Sequence, residues 1–320
     1  MKLFADYHVH TNNARFRKGK ASIQDIAHKA NAIGLSEVAV VCHGLNHFYA
    51  CDKLKFLQSR KVVDDLNLEL DTQIHLAIEA DILSVDGDLD VDDEMLEKTD
   101  ILMIGYHKMI KTDYASYFGR QNKSAQAIDL ATDAYINAIK RYNVDIVAHP
   151  NVGVKLDLYK LGKFCLENDV LIELNNKHLN FSEAEANDLI RSGCLFVISS
   201  NSYDIETIGR FDNVMIFIEK YNIPLERVVN LDISGGQKTK LELEIEDDYW
   251  RLQKLKAKQP KPYELSAEIE DKLNQIIKEK NIIEKEYDEI DIKDTLSADE
   301  RAFIEQVEEY LRTGVKPNKK

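Results

Sequence analysis

The chain has 320 residues, 42 Lys+Arg against 56 Asp+Glu (formal net charge −14), and is 44% hydrophobic and 31% charged. That length exceeds a minimal binding module and suits one barrel-sized domain with a smaller appendage, while the apolar share excludes wholesale disorder. So acidic a surface argues against broad nucleic-acid binding unless one patch is locally basic, and no apolar run reaches the roughly 18 residues that a membrane span needs. The opening residues Met1-Lys2-Leu3-Phe4-Ala5-Asp6 meet charge, and then histidine, before a signal-like run can build. Four cysteines (Cys42, Cys51, Cys165, Cys194) show no Cys-x-x-Cys spacing, which reads as reduced thiols, mostly in the core. A cytoplasmic protein without membrane association is expected.

From residue 1 to about 235 a short β-branched run, a polar or histidine-bearing loop and an amphipathic helix recur in order. The strand-like runs fall at 2–7, 37–42, 74–78, 101–104, 145–148, 170–174 and 194–199. They are short and almost continuously apolar, as parallel strands covered on both faces are. Between the first two, residues 22–32 put Ile23, Ile26, Ala27 and Ala30 on one helical face. Residues 125–139 do the same with Ile128, Leu130, Ala131, Tyr135 and Ala138. After the third run, residues 81–91, with Asp86-Gly87-Asp88, read as a loop or turn insertion. Seven β-then-α units predict an α/β fold, a distorted (β/α)7 TIM-like barrel.

Composition changes after about Gly236. Gln259-Pro260-Lys261-Pro262 marks a break. Beyond it Ile269, Leu273, Ile276, Ile277 and Ile283 recur at helical spacing. A second helix is signalled by the capping box Ser297-Ala298-Asp299-Glu300, by Phe303, Val307 and Leu311 on one face, and by Gly314 as its cap. The chain is therefore divided into a barrel over 1–240 and a charged helical extension over 241–320. That extension is either a docked appendage or an arm for a protein partner.

The nine histidines are not scattered. His8 and His10 follow the first run, His43 the second, His107 the fourth and His149 the fifth; Glu79 ends the third, Glu173 lies near the end of the sixth, and Asn201 follows the seventh. In a parallel barrel every strand ends at one rim, so residues up to 140 positions apart would converge there. Neutral imidazole with carboxylate is a ligand set for zinc, manganese or iron, and the two oxygens of Glu79 suit it to bridge two ions. His28 and His75 read as structural; His47 and His178, in rim-side loops, are weaker candidates for substrate contact.

Asp6-Tyr7-His8-Val9-His10-Thr11, Cys42-His43-Gly44, Ile78-Glu79-Ala80-Asp81, Gly105-Tyr106-His107, Ala148-His149-Pro150 and Ile172-Glu173-Leu174-Asn175-Asn176 together closely resemble the motifs of the PHP (polymerase and histidinol phosphatase) family. The likeness is to its small stand-alone bacterial phosphoesterases, and covers about residues 1–235 in the right order. It implies a barrel of seven βα units with a multi-metal centre. His8, His10 and Glu79 would hold one ion; Glu79 would bridge to a second, held also by His107 and His149; His43 corresponds to a ligand of a third. The chain departs from the pattern after the last strand, where Ser199-Ser200-Asn201-Ser202-Tyr203 puts Asn201 and Tyr203 in place of an Asp-x-His pair. A histidine common in the loop after the first strand is also absent. Asn201 can still ligate without charge, whereas Tyr203 is a poor substitute for imidazole, so two ions and an empty third site are expected.

The leading expectation is metal-assisted hydrolysis of a small phosphate ester. Glu79, Asp6, Arg15 and Tyr203 are its candidate catalytic residues, and His8, His10, His43, Glu79, His107, His149 and Asn201 its metal ligands. Asp6 is expected to orient a histidine ligand through its other ring nitrogen. Arg15, with Arg17, Lys18 and Lys20, forms a basic cluster suited to hold phosphate. Two rival readings stay open. One is a degenerate barrel that binds a ligand or partner without turnover, motivated by Asn201 and Tyr203. The other is a PHP-type nuclease, which the −14 charge disfavours.

Overall fold

The computed structural model describes residues 2–13, 21–116, 123–179 and 181–233. The extension over 241–320, with both of its expected helices, lies outside the described residues, as do Arg15, Arg17, Lys18 and Lys20.

In chain order the elements are β1 (Lys2–Leu3), β2 (Ala5–His10), α1 (Ile23–Ala32), β3 (Glu37–His43), α2 (Lys53–Glu69), β4 (Gln73–Asp81), α3 (Asp93–Lys98), β5 (Ile101–Gly105), α4 (Ala125–Arg141), β6 (Ile146–Val147), α5 (Leu158–Glu167), β7 (Leu171–Asn175), α6 (Glu183–Ser192), β8 (Phe196–Ser199), α7 (Asp212–Tyr221) and β9 (Leu231–Asp232). Strands β2 to β8 form one seven-stranded parallel sheet in sequence order. The sheet curls back on itself just past β8. A parallel bridge joins Val9 to Ser202, the His10 amide donates to the Ser202 carbonyl (2.8 Å) and the Ser202 amide to the His8 carbonyl (3.0 Å). This is the expected (β/α)7 TIM-like barrel. The first run splits at Phe4, however, and its detached β1 pairs antiparallel with β9, a strand that the apolar pattern did not single out.

Local chemistry sets the helix starts. Ser22 with Asp25, and Ser182 with Glu185, form complete capping boxes, and Asp52, Asp92, Ser124 and Asp157 cap α2 to α5; such caps contribute about 1 kcal/mol each. Helix α1 buries the four residues of its predicted face. Helix α4 buries Ala131, Tyr135 and Ala138, but Leu130 is exposed. Turn 84–88 fits the expected insertion; Gly87 has φ +84°, and an added Cβ would sit 2.3 Å from the Ala138 nitrogen.

Two apolar layers separate cleanly. Ala5, Tyr7, Ala39, Val41, Ala77, Ile101, Met103, Ile146, Ala148 and Val197 cluster together, at alternate positions of successive strands, so they fill the barrel interior. Val9, Val38, Val40, Ile74, Leu76, Ile78, Leu102, Ile104, Val147, Ile172 and Ile198 belong to the larger layer under the helices. Period 2 then dictates what stands above the interior layer. Ala39 and Val41 lead to His43, Ala77 leads to Glu79 and Asp81, and Leu171 leads to Glu173 and Asn175.

Candidate metal centre

Simple alternation fails on β2, and the failure builds the site. Tyr7 packs in the interior cluster while Val9 packs under the helices, although both carry the same parity. Between Asp6 and Val9 the register against β3 slips by one residue, a bulge that turns His8 and His10 inward. Both imidazoles are thus within β2, not beyond it. His149 is re-aimed differently, by a positive φ of 28°, and Asn201 follows with φ 49°. Such non-glycine conformations recur where side chains are held for function.

Glu79 is the hub. Its carboxylate is fully buried; Oε1 lies 2.6 Å from His149 Nε2 and 3.3 Å from His107 Nε2. Oε2 lies 3.3 Å from His8 Nε2, 3.7 Å from His10 Nε2 and 3.0 Å from His43 Nδ1. The barrel therefore gathers His8, His10, His43, Glu79, His107 and His149 into one cup. Burial alone would raise the Glu79 pKa, but the charge of His8 and of the other imidazoles outweighs it and holds the carboxyl well below its ordinary range.

Two carboxylates set the ring orientations. Glu173 Oε1 is 2.7 Å from His8 Nδ1, which leaves Nε2 facing His10 Nε2 (3.1 Å) and Glu79. Asp81 Oδ1 accepts from the His107 amide (2.7 Å) and lies 3.0 Å from its Nδ1, leaving Nε2 toward Glu79. Such carboxylate–imidazole pairs fix the tautomer of a ligating histidine. Burial opposes charge on His8, yet Glu79 and Glu173 raise it to about 10; burial works against Glu173 likewise, and His8 brings its carboxyl down to about 2. For His10, burial and then the neighbouring His43 push the pKa well below its ordinary value.

Asp6 does not do what its place in the motif suggested. Its carboxylate accepts the backbone amides of Ser200 (3.1 Å), Gly209 (2.8 Å) and His8 (3.4 Å), not an imidazole. It pins the strand-closing segment, and Glu173 takes the orienting role expected of it. Asn201 is buried, with Nδ2 3.4 Å from Asn175 Oδ1. Tyr203 stacks on His10 (centroids 4.1 Å, planes 15° apart), and its hydroxyl lies 3.4 Å from His43 Nε2.

His47, expected only as a weaker rim-side candidate for substrate contact, packs directly on the imidazoles. Its ring stacks on His43 at 3.7 Å and meets His107 edge-on at 4.6 Å. Its loop is shaped by Asp90, which accepts the Asn46 amide (3.0 Å) and the Asp81 amide (2.7 Å). Gly44 is required there, since a Cβ would come 1.9 Å from Asp90 Oδ1. Burial, then Asp81, raises Asp90 to about 7. A loop position with no strand parity carried no sequence signal for this approach.

Ligand atoms of three residue sets lie within 4.8 Å of one another: His8, His10 and Glu79; Glu79, His107 and His149; and His43, His47 and His107. The first two share Glu79, whose two oxygens can serve both. The last two share His107, whose Nδ1 faces Asp81, so its remaining nitrogen serves one of them. Donor chemistry and satisfaction both fit divalent ions. Among the described residues His43 Nδ1, His149 Nδ1, Asp81 Oδ2 and Asn201 Oδ1 are buried polar atoms without a hydrogen-bond partner; His43 Nδ1 is close to Glu79 but misaligned for a bond. Buried polar atoms left this way are costly unless something else meets them.

No family model matches the chain. A "probable phosphatase" of Acetivibrio thermocellus is 28% identical over 243 residues, covering 73% of this chain and 93% of the relative. "Probable phosphatase YcdX" of Shigella flexneri is 25% identical over 238 residues, covering 71% and 89%. The solved structure of histidinol phosphate phosphatase from Lactococcus lactis, complexed with zinc, L-histidinol and phosphate, matches with TM-score 0.46 at 12% identity over 70% of this chain and 95% of that one, too loose a likeness to decide chemistry. No helix among the described residues is long and apolar enough to cross a membrane. With its motifs in order on seven parallel strands, and curated probable phosphatases similar to it over most of their length, the chain resembles the PHP family in motifs and fold.

Proposed function

We propose that this chain is a metal-dependent phosphoesterase that hydrolyses a small phosphate ester at a centre of two divalent ions. His8, His10 and Glu79 would hold one ion, and Glu79, His107 and His149 the other. The observation that carries the reading is Glu79: one buried carboxylate shared, oxygen by oxygen, between five imidazoles from four different segments of the barrel. The name "probable phosphatase" on its curated relatives supports the same chemistry.

Such a centre supplies activation of water at neutral pH and charge offset on the phosphoryl oxygens. The chain's own residues do the rest. Glu173 and Asp81 hold His8 and His107 with Nε2 toward Glu79, and Asp6 secures the backbone that closes the barrel beside them. A retired barrel fits poorly, since five imidazoles and a carboxylate are kept convergent and partly unsatisfied at a folding cost.

The test is hydrolysis of para-nitrophenyl phosphate by the full chain as purified, after chelation, and after reloading with manganese, zinc or iron. Chelation should abolish turnover, and at least one metal should restore it. Protein that holds two metal equivalents yet cleaves none of a panel of phosphate esters would overturn the reading.

A further inference from the structure

The carboxylate that orients His8 also reaches a second part of the cup. Glu173 is fully buried on β7, in the middle of the run β6, β7, β8. Its Oε1 meets His8 Nδ1 at 2.7 Å and accepts the Ser199 hydroxyl. Its Oε2 accepts the His149 backbone amide at 2.6 Å and the Asn175 side-chain amide at 3.0 Å. Both oxygens are thus engaged, one on each side of the group.

His8 and His149 belong to different ligand sets: His8 stands with His10 and Glu79, and His149 with Glu79 and His107. The two contacts also differ in kind. On His8 the carboxylate takes a ring nitrogen and leaves Nε2 toward Glu79. On His149 it takes the main chain, at a residue whose φ of 28° is uncommon for any side chain and persists only where the surroundings hold it. That turn carries the ring to Glu79, with Nε2 2.6 Å from Oε1. Asn175 is itself fixed, because its Oδ1 accepts the Lys177 amide (3.0 Å), so its Nδ2 is the end that faces Glu173.

We propose that Glu173 is the positioning residue for both ion sites at once, Oε1 setting the His8 ring for one and Oε2 setting the His149 backbone for the other. The inference rests on the two-ion centre for what is positioned, but the brace itself is tested without metal. The two oxygens respond differently to an amide, which has a single acceptor. Oε2 faces two N–H donors that cannot reverse their roles, whereas Oε1 faces an imidazole and a hydroxyl, both able to accept. Glutamine at this position therefore turns its oxygen to His149 and its NH2 to His8. The ring proton of His8 then moves to Nε2, the nitrogen that faces Glu79 and His10.

Cadmium-113 NMR of the full chain, with each resonance assigned through coupling to imidazole ring protons, reads the sites separately, and calorimetric titration with cadmium gives the affinities. Glu173→Gln should weaken the site of His8 and His10 by about 10–100-fold, as loss of an outer partner does, and keep that of His107 and His149 within about threefold. Glu173→Ala should weaken both; a merely structural role would not produce this split. In the metal-free chain, nitrogen-15 NMR should show the His149 amide proton at low field and slow to exchange in the parent and in Glu173→Gln, and exchanging faster in Glu173→Ala. If the alanine variant does not fold, the parent spectrum and the glutamine variant decide alone. A His149 amide that exchanges freely in the parent overturns the proposal, as does a Glu173→Gln variant that spares the His8 site. A parent with the protected amide that binds no cadmium sinks the metal centre and leaves the brace standing.

Discussion

The two ends of the barrel use the same residue types and reach opposite outcomes. At the end where the strands begin, His75 Nε2 and the Tyr7 hydroxyl both meet Glu37 Oε2, at 2.8 and 2.9 Å, and β1 pairs with β9 across the opening. Asn230 clamps the same end: its amide donates to the Ala5 (2.8 Å) and Ile198 (2.7 Å) carbonyls, and its oxygen accepts the Ile198 amide (2.9 Å). Polar groups there come in matched sets. At the opposite end five imidazoles crowd one carboxylate, and buried nitrogens and oxygens are left over among the described residues. Histidine beside carboxylate is therefore not in itself a site. Surplus donors aimed at a common point are what separates chemistry from structure.

The contrast breaks most sharply under paired substitutions. Glu79→Gln should cost well over about a hundredfold in hydrolysis and most of the bound metal, since losing even an outer partner of a ligand costs 10–100-fold. Glu37→Gln, at the other end, should lower stability by about 1 kcal/mol and leave metal content and turnover intact. If both lowered metal content equally, the two ends would not differ in kind. Elemental analysis with thermal unfolding reads both.

Next in size is Glu173. Glu173→Gln should weaken metal affinity by about 10–100-fold, by freeing the His8 ring rather than by removing a ligand. It also sets a pH limb. A carboxyl brought down from 4.5 to about 2 in the fold stabilises fully above 4.5 and loses that contribution as pH falls toward 2. Chelator-treated protein should therefore lose stability as pH drops through that window, and Glu173→Gln should flatten the loss. His8 acts in the opposite direction: raised to about 10, it contributes fully below 6.5, a contribution that fades as pH rises through 10. A Tm–pH profile unchanged by Glu173→Gln would show that the pair is not formed.

The smallest effects belong to the loop after β3. His47→Ala should leave two metal equivalents in place, because His107 Nε2 can serve only one of the two sets it belongs to. A third equivalent that disappears in His47→Ala would show that the His43–His47 pair holds an ion of its own. Gly44→Ala should destabilise this loop by about 1–3 kcal/mol through overlap with the Asp90 carboxylate, seen as a lower Tm.

Much of this was legible in the sequence. The seven parallel strands announce themselves as continuous apolar runs because both of their faces are covered, and parity alone carries Ala39 and Val41 to His43 and Ala77 to Glu79. What stayed hidden depends on departures from regular geometry. The bulge that turns His8 and His10 inward leaves no compositional trace, nor does the positive φ at His149. Glu173 was placed at the rim but not paired, because nothing in sequence says that it lies 2.7 Å from a histidine 165 residues away. Asp6 misled for a related reason: regular alternation would put it on the same face as His8, two residues on, but the bulge between Asp6 and Val9 breaks that alternation and leaves its carboxylate to backbone amides. His47 sits in a loop, where neither period 2 nor period 3.6 applies. Tyr203 read as a poor substitute for imidazole; only the folded barrel shows its ring stacked on His10.

The most direct measurement is anomalous diffraction from crystals of the metal-loaded chain, with data collected at the absorption edge of the bound element. Two peaks should flank the Glu79 carboxylate, one against His8 and His10 and the other against His107 and His149. A cup with no anomalous density, in which Glu79 is bonded to imidazoles alone, would contradict the metal centre and the chemistry built on it.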